Sequence, residues 1–270
     1  MLRGGEGMTV ASGWGALQYA AMGEFADHFS QHAALYAARR PRYPDGLFAW
    51  LAAQAPARTR AWDAGCGSGQ ATLGLVEHFD DVIASDPSAE QVAQAAPHPR
   101  IHYRVEPAEA PSLDTASVDL VLVAQALHWF DLEQFYPQVR RVLRPGGVIA
   151  ACSYGLCHVD DAVDRVFGYL YDQLLGDYWP HERRHVENGY RELAFPFPEI
   201  AAPEIAMTQH WALAEYLGYL RSWSASQRYL QATGQDPVEG LADRFAEAWG
   251  APAGPRQVSF PLALRVGRRD

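Results

Sequence analysis

Short apolar runs alternate with amphipathic stretches between residues 45 and 154. The runs RAWDAG, DVIASD, IHYRVE, VDLVLVAQ and GGVIAACSY have the length of buried strands, and stretches with helical spacing separate most of them. Strands that are apolar on both faces and alternate with helices are typical of a parallel sheet covered on both sides. The pattern therefore predicts a doubly wound, Rossmann-like α/β fold.

The segments on either side of this block have a different pattern. Residues 24–39 carry apolar side chains at helical spacing, and the segment RPRYP that follows ends the predicted helix, because residues before proline avoid helical dihedrals. Residues 161–176 predict another amphipathic helix, and an aromatic, proline-containing tract runs from 177 to 198. EIAMTQHWAL and RQVSFPLALRVGR predict two more strands, with two helices between them.

The composition is that of a globular protein with an acidic balance. Of the 270 residues, 49% are hydrophobic and 20% charged, and the net charge is −10. Such a chain is a poor match for a phosphate backbone, and no apolar run has membrane-spanning length, so we expect neither nucleic acid nor membrane as a partner. The three cysteines form no CxxC pair, and residues 1–23 lack the apolar core of a signal peptide, which predicts a cytoplasmic location. The sequence does not indicate the oligomeric state.

The stretch DAGCGSGQ connects the first predicted strand to the helix after it. A dinucleotide-binding turn follows the pattern GxGxxG, but Gln70 stands at the third glycine position. Asp63, at the strand end, repels a pyrophosphate and accepts hydrogen bonds from an ammonium group. S-adenosylmethionine carries an α-ammonium, a sulfonium and no phosphate, and the glycines allow the backbone to approach it closely. The stretch therefore favours this ligand over a nicotinamide dinucleotide.

Asp86 ends the next predicted strand, where an acid takes both hydroxyls of an adenosine ribose. The segment DPSAE also opens a helix, so Asp86 has a second interpretation as the helix N-cap. The sequence leaves both roles open.

Two further stretches, EPAEAPSLDTASVDLVLVAQALHWFD and RVLRPGG, complete a recognisable set. Together with DAGCGSGQ and DVIASD, they resemble the class I S-adenosylmethionine-dependent methyltransferases, and most of all the small-molecule group around trans-aconitate methyltransferase. The resemblance covers about residues 24–154 and the last predicted strand. It implies a seven-stranded, mostly parallel sheet with an antiparallel last strand and a helical insertion before the C-terminal hairpin.

The resemblance also implies a division of the chain. A flexible leader (1–23) precedes a single methyltransferase domain (24–270), made of a cofactor-binding core (24–154), an insertion that caps the substrate (155–203) and C-terminal strands and helices (204–270). The helix over 24–39 is expected to fold over the cofactor as a lid.

The same resemblance assigns candidate cofactor-binding residues from the lid to the end of the fourth strand. They are Tyr36, Arg40, Asp63, Gly65, Cys66, Gly67, Ser68, Gly69, Asp86, Pro87, Ala108, Glu109, Gln125 and Ala126. Asp63 and the glycines would hold the methionine part and Ala108 and Glu109 would flank the adenine. Arg40 would pair with the cofactor carboxylate, or it caps the C-terminus of the predicted helix.

The expected reaction is methyl transfer to a small, anionic molecule. The candidate substrate residues, which share an aromatic or cationic side chain, are Trp129, Trp179, Arg183, Arg184 and Tyr190. His128 is the candidate base for a hydroxyl or amine acceptor, whereas a carboxylate needs none; its other interpretation is a structural histidine under the cofactor.

Three other hypotheses compete with this one. HERRH (181–185) matches the HExxH pattern of zinc proteases, but arginines inside a zinc site are costly and Pro180 precedes it, so we expect no metal. A nicotinamide-dependent oxidoreductase is disfavoured by Gln70 and Asp63. A non-catalytic S-adenosylmethionine-binding protein on the same fold remains an alternative, since function depends on the site and not on the fold.

Overall fold

Nine β-strands lie within residues 40–251 and 254–270, the parts of the chain that the computed structural model describes. They are β1 (Arg60–Ala64), β2 (Asp81–Asp86), β3 (Ile101–Val105), β4 (Val118–Ala124), β5 (Leu143–Tyr154), β6 (Glu199–Ile200), β7 (Met207–Trp211), β8 (Arg256–Phe260) and β9 (Leu262–Arg268). The leader, the lid helix predicted over 24–39 and Tyr36 lie outside the described residues.

The helices alternate with the strands in the first half and cluster in the second. They are α1 (Asp45–Gln54), α2 (Thr72–Leu75), α3 (Ala89–Ala93), α4 (Leu132–Val142), α5 (Asp161–Gly168), α6 (Arg183–Glu187), α7 (Leu213–Arg221), α8 (Ser224–Thr233) and α9 (Ala242–Trp249). A π-helical segment, Tyr169–Leu174, continues α5, and 3₁₀ turns lie at Leu127–Trp129, Gly176–Tyr178 and Glu239–Leu241. In the described part of the chain, no helix has the length and apolar character needed to cross a membrane.

The main sheet has seven strands in the order β3-β2-β1-β4-β5-β9-β6. Strands β1 to β5 are parallel to their neighbours, and β9 runs antiparallel to both β5 and β6. This arrangement confirms the predicted doubly wound sheet with one antiparallel strand. The chain order reverses between β1 and β4, and ligands of such sheets bind at the carboxyl ends of the strands beside that reversal.

The end of the chain differs from the prediction in two respects. Three helices, α7 to α9, lie between β7 and β8, where the sequence predicted two. RQVSFPLALRVGR is not one strand, because Pro261 separates β8 from β9. Proline has no N–H to donate to a strand ladder, so the chain leaves one sheet there and enters another. β8 pairs with β7 in a separate two-stranded sheet, whereas β9 pairs with β5; the short β6 supplies the seventh strand of the main sheet.

The core is divided into layers by the sheet. Trp62 on β1 is fully buried on the face covered by α4, and its Nε1 donates to Ser85 Oγ at 2.9 Å. Helices α1 and α2 cover the opposite face. A third, aromatic cluster joins α5, α7 and α9 to the two-stranded β7–β8 sheet and includes Tyr154 at the carboxyl end of β5. This third cluster packs beside the end of the sheet where the predicted site residues lie.

Candidate active site

The glycine turn after β1 has a left-handed backbone at all three glycines. Gly65, Gly67 and Gly69 have φ values of 71°, 53° and 86°, which side chains with a Cβ adopt only at a cost. The N–H groups of Gly65 and Cys66 both donate to Ser85 O, at 2.8 and 2.9 Å. These bonds fix the turn against the end of β2.

The three glycines differ in what surrounds them. A Cβ on Gly65 would lie 2.7 Å from Ala126 Cβ, and one on Gly69 would lie 2.7 Å from Tyr103 Oη. A Cβ on Gly67 would have no neighbour closer than 3.9 Å, where Gln91 Oε1 lies. A Cβ would therefore crowd Ala126 at Gly65 and the Tyr103 hydroxyl at Gly69, whereas at Gly67 it would make only an ordinary contact with Gln91.

Asp63 is a fully buried carboxylate beside this turn. Its Oδ2 accepts a hydrogen bond from Thr72 Oγ1 at 2.6 Å, and its Oδ1 is buried with no hydrogen-bond partner among the described residues. Burial, opposed by the Thr72 bond and aided by the nearby charge of Asp86, raises the pKa of Asp63 to about 7. The free oxygen is an acceptor in position for a donor from a ligand.

Asp86 closes the other side of the turn. Its Oδ2 accepts from Gly67 N and its Oδ1 from Ser88 N, each at 2.9 Å. The N-cap of α3 is Ser88, whose Oγ accepts from Gln91 N at 3.2 Å, so the N-cap interpretation of Asp86 is wrong. Burial raises the pKa of Asp86, and the two backbone bonds oppose the rise. Each carboxylate oxygen retains a second lone pair for a ligand hydroxyl.

The residues predicted to flank the adenine are less buried than Asp63. Ala108 is buried, and Glu109 Oε1 accepts a hydrogen bond from Asp131 N at 2.8 Å, which fixes the loop before α4. Pro87 is exposed. Cys66 is buried, and burial raises the pKa of its thiol well above the usual value, so it is not a reactive thiolate.

The ends of β4 and β5 are held together by polar contacts. Gln125 has φ 58°, unusual outside glycine, and its Nε2 donates to Tyr154 O at 3.1 Å. Arg40 Nη1 donates to Tyr154 Oη at 3.1 Å. Arg40 and Gln125 both contact Tyr154, the last residue of β5, and Ala126 packs against Gly65 of the glycine turn.

His128 lies in the 3₁₀ turn after β4 between two aromatic rings. Its ring centroid is 4.5 Å from that of Trp129 and 5.8 Å from that of Tyr190. Its Nδ1 is 3.1 Å from Tyr190 Oη. Burial, followed by the positive charges of Arg183 and His185, lowers the pKa of His128 to about 3, so the ring is neutral at physiological pH.

The two candidate arginines have different environments. Arg183 is half-buried; its Nε donates to Tyr171 Oη at 3.1 Å, and its guanidinium carbon lies 5.0 Å from the Trp179 ring centroid. Trp179 is itself held by a bond from its Nε1 to Tyr171 O at 3.3 Å. Arg184 is exposed. Of the pair, only Arg183 packs against aromatic rings, those of Tyr171 and Trp179, and its charge acts on the His128 ring.

The sequence patterns did not indicate three polar residues around the turn, which are Thr72, Gln91 and Tyr103; Tyr43, in the segment YAARRPRYP expected to cover the cofactor, also lies near it. The buried Gln91 Oε1 and Tyr103 Oη have no hydrogen-bond partner within the described ranges. Burial raises the pKa of Tyr43 well above its usual value, with Cys152 and Asp63 among the nearby groups. Thr72 could have been predicted, because it follows the glycine turn directly, but no local pattern distinguishes Gln91 or Tyr103.

Comparison with known proteins identifies the family. A methyltransferase domain family matches residues 62–151. A methyltransferase-family protein of Dictyostelium discoideum is 31% identical over 254 residues, which cover 92% of this chain and 97% of that one. This chain belongs to the S-adenosylmethionine-dependent methyltransferases.

Two other similarities bear on this methyltransferase. A structure from Anaeromyxobacter dehalogenans, described as a type II methyltransferase, is 52% identical with a TM-score of 0.80, and the match covers 85% of this chain and 97% of that one. The malonyl-[acyl-carrier protein] O-methyltransferase of Enterobacter lignolyticus is 38% identical over 135 residues, 48% of this chain and 51% of that protein.

The residues present fit S-adenosylmethionine, the cofactor of the family. Asp63 Oδ1 and Gln91 Oε1 are buried acceptors with no hydrogen-bond partner in the described part of the chain, and the cofactor offers ammonium and hydroxyl donors. The space over Gly67 admits a ligand against the backbone. Two carboxylates, Asp63 and Asp86, line this methyltransferase turn and would repel a pyrophosphate.

Proposed function

We propose that this methyltransferase transfers the methyl group to a carboxylate of a small molecule held under residues 155–203. The observation that carries the proposal is Arg183. Its Nε donates to Tyr171 Oη at 3.1 Å and lies 3.7 Å from Glu187 Oε1 in an ion pair, while its two terminal nitrogens form no hydrogen bond to any described residue. A fixed guanidinium with a free fork, set among aromatic rings, suits an anionic acceptor.

The same proposal assigns the cofactor contacts. Asp63 Oδ1 accepts from the α-ammonium, Asp86 accepts from the ribose hydroxyls, and Gly67 gives room for the methionine part. Arg40, already bonded to Tyr154, pairs with the cofactor carboxylate. The assignments to Asp63 and Asp86 rest on carboxylate oxygens beside the turn after β1, next to the point where the strand order reverses.

His128 favours a carboxylate over a hydroxyl or amine acceptor. Efficient general bases have a pKa near the working pH, and a histidine with a pKa of about 3 is a weak base. A carboxylate is already ionised at neutral pH and needs no proton removed. The low pKa of His128 therefore supports a carboxylate acceptor, which is methylated without a general base.

For this methyl transfer, the protein mainly has to align the acceptor oxygen with the methyl group of the cofactor. When bound, the cofactor supplies an activated methyl on a sulfonium, which is a good leaving group. Arg183 and the surrounding rings hold the acceptor oxygen, exclude water and limit its motion, and effects of this kind contribute large rate factors. The name of the Enterobacter relative, which acts on a malonyl group, agrees with a carboxylate acceptor.

Arg183→Ala is expected to raise the apparent KM for the acceptor about tenfold, since a charge-assisted hydrogen bond contributes about 1.5 kcal/mol. The affinity for S-adenosylhomocysteine is expected to be unchanged. The measurement is transfer of radioactive methyl into the small-molecule fraction of a metabolite extract, with the rate followed against extract dilution. Arg184→Ala removes the exposed neighbouring cation and serves as the matched control. Equal KM values for the two variants would remove Arg183 from the acceptor site.

Cofactor binding is expected to strengthen several-fold between pH 6 and 8. The pKa of Asp63 is about 7 in the folded protein, and an unperturbed aspartate has a pKa near 3.9. Ionisation therefore occurs between these pH values, and only the ionised carboxylate attracts an ammonium group. For the same reason, the cofactor-free protein loses stability as the pH rises from about 4 through 7. Calorimetric titration with S-adenosylhomocysteine should show this gain in affinity in the native protein, and Asp63→Asn should reduce it. The same pH dependence of affinity in the native protein and the variant would contradict the assignment of Asp63 to the ammonium group.

A further inference from the structure

The buried Tyr190 and the partly buried His128 form a pair beside the proposed acceptor site. Tyr190 is 1% exposed, and its hydroxyl oxygen lies 3.1 Å from His128 Nδ1. Nε2 of His128 forms no hydrogen bond to any residue that the structure describes. One ring nitrogen is thus engaged within the protein, and the other is available to a ligand.

Tyr190 is rigidly held. Its backbone has φ 63°, its N–H donates to His185 O at 2.7 Å, and its carbonyl accepts from Arg265 Nη1 at 2.9 Å. The positive φ and the two backbone hydrogen bonds hold the Tyr190 backbone in place. Burial restricts the movement of its ring and hydroxyl. The Tyr190 hydroxyl is therefore held in one position beside His128 Nδ1.

The chemistry of the two groups decides the direction of the hydrogen bond. A phenol is a stronger acid than a neutral imidazole N–H, and an imidazole nitrogen is a better acceptor than a phenol oxygen. The Tyr190 O–H therefore donates to Nδ1. A neutral histidine carries one proton, which is then on Nε2.

We infer that Tyr190 is a positioning residue that holds His128 as the Nε2–H tautomer, and that this N–H donates a hydrogen bond to a carboxylate oxygen of the acceptor. His128 is then a recognition group and not a base. The inference deepens the proposed function and rests on it for the identity of the acceptor. The low pKa of His128, caused by burial and by Arg183 and His185, agrees with a ring that stays neutral when an anion binds.

The tautomer is measured directly by nuclear magnetic resonance on protein labelled with ¹⁵N-histidine and saturated with S-adenosylhomocysteine. The His128 resonances are assigned by their loss in His128→Gln. The native protein is expected to show an unprotonated Nδ1 and a protonated Nε2, and Tyr190→Phe is expected to shift this population toward the other tautomer. Tyr136→Phe is the matched control, because Tyr136 loses a buried hydroxyl bond, to Ala194 O at 2.6 Å, in the same cluster. A protonated Nδ1 in the native protein, or no change in Tyr190→Phe, overturns the inference.

The role of the donor is tested by two substitutions of His128. Glutamine keeps an N–H donor near the Nε2 position, whereas alanine removes it. With a metabolite extract as the acceptor source, His128→Ala is expected to raise the apparent KM about tenfold, and His128→Gln to stay within about threefold of the native protein. An equal loss of kcat of about a hundredfold or more in both variants is the result for a general base, and it overturns the inference. A native KM in His128→Ala does so as well.

The inference on the His128 tautomer and the proposed carboxylate acceptor can be refuted independently. The tautomer is measured without any acceptor, so its result does not depend on the proposed function. The carboxylate acceptor is judged instead by the chemical stability of the methylated product.

Discussion

Asp86→Ala is expected to weaken binding of S-adenosylhomocysteine by about 2 kcal/mol or more, a factor of about 30 in Kd. The carboxylate offers two remaining lone pairs to the ribose hydroxyls, and it also holds the N–H groups of Gly67 and Ser88. The substitution therefore removes the acceptor and loosens the turn that faces the ligand. Calorimetric titration measures the change directly.

Asp81→Ala is the matched control for this experiment. Asp81 begins β2, the strand that Asp86 ends, and at this amino end it lies 2.5 Å from Arg60 Nε and 2.7 Å from His102 Nε2. We expect native affinity in this variant. Asp86→Ala should itself lose about 1–3 kcal/mol of stability, since two backbone donors lose their acceptor, so titrations are made well below its melting temperature. A native Kd for Asp86→Ala would show that Asp86 serves only to hold the turn.

Gly67→Ala is expected to weaken cofactor binding by about 2–3 kcal/mol, the upper part of the range for overpacking. The new methyl group meets no protein atom, because the nearest is 3.9 Å away. It occupies the space where the cofactor is proposed to lie against the backbone. The cost in stability is the strain of φ 53° at a residue with a Cβ, about 1–2 kcal/mol.

Gly234→Ala separates strain from ligand contact. Gly234 has φ 71°, is the C-cap of α8 and has no atom within 4 Å of its ideal Cβ. The two variants should therefore lose similar stability in thermal denaturation, while Gly234→Ala binds S-adenosylhomocysteine normally. Equal affinities in the two variants would place the cofactor away from the glycine turn.

The parts of the fold that follow from sequence are those decided by local pattern. Strands β1, β2 and β4 are short, apolar and buried, and their order with the helices is visible as periodicity. The glycine turn is visible because its three positive φ values require glycine. Asp63 and Asp86 follow from their place at strand ends.

The rest of the site depends on contacts between distant residues. Arg183 and Arg184 are adjacent and chemically identical, and only packing against Tyr171 and Trp179 decides which points inward. The pairing of His128 with Tyr190 joins residues 62 positions apart. Pro261 is a local signal, but that β8 and β9 join different sheets depends on the partners each finds. Local sequence patterns do not show which of these distant residues pack together in the folded protein.

Radioactive methyl transfer into a metabolite extract, followed by mild alkaline hydrolysis of the product, tests the central claim most directly. A methyl ester of a carboxylate releases its label as volatile methanol, whereas methyl groups on nitrogen, carbon or sulfur are retained. We expect the label to enter a small anionic acceptor and to be released by alkali, with Asp86→Ala, assayed at limiting cofactor, giving much less. Label that is stable to alkali, or that accumulates in protein or nucleic acid, would contradict a carboxylate acceptor.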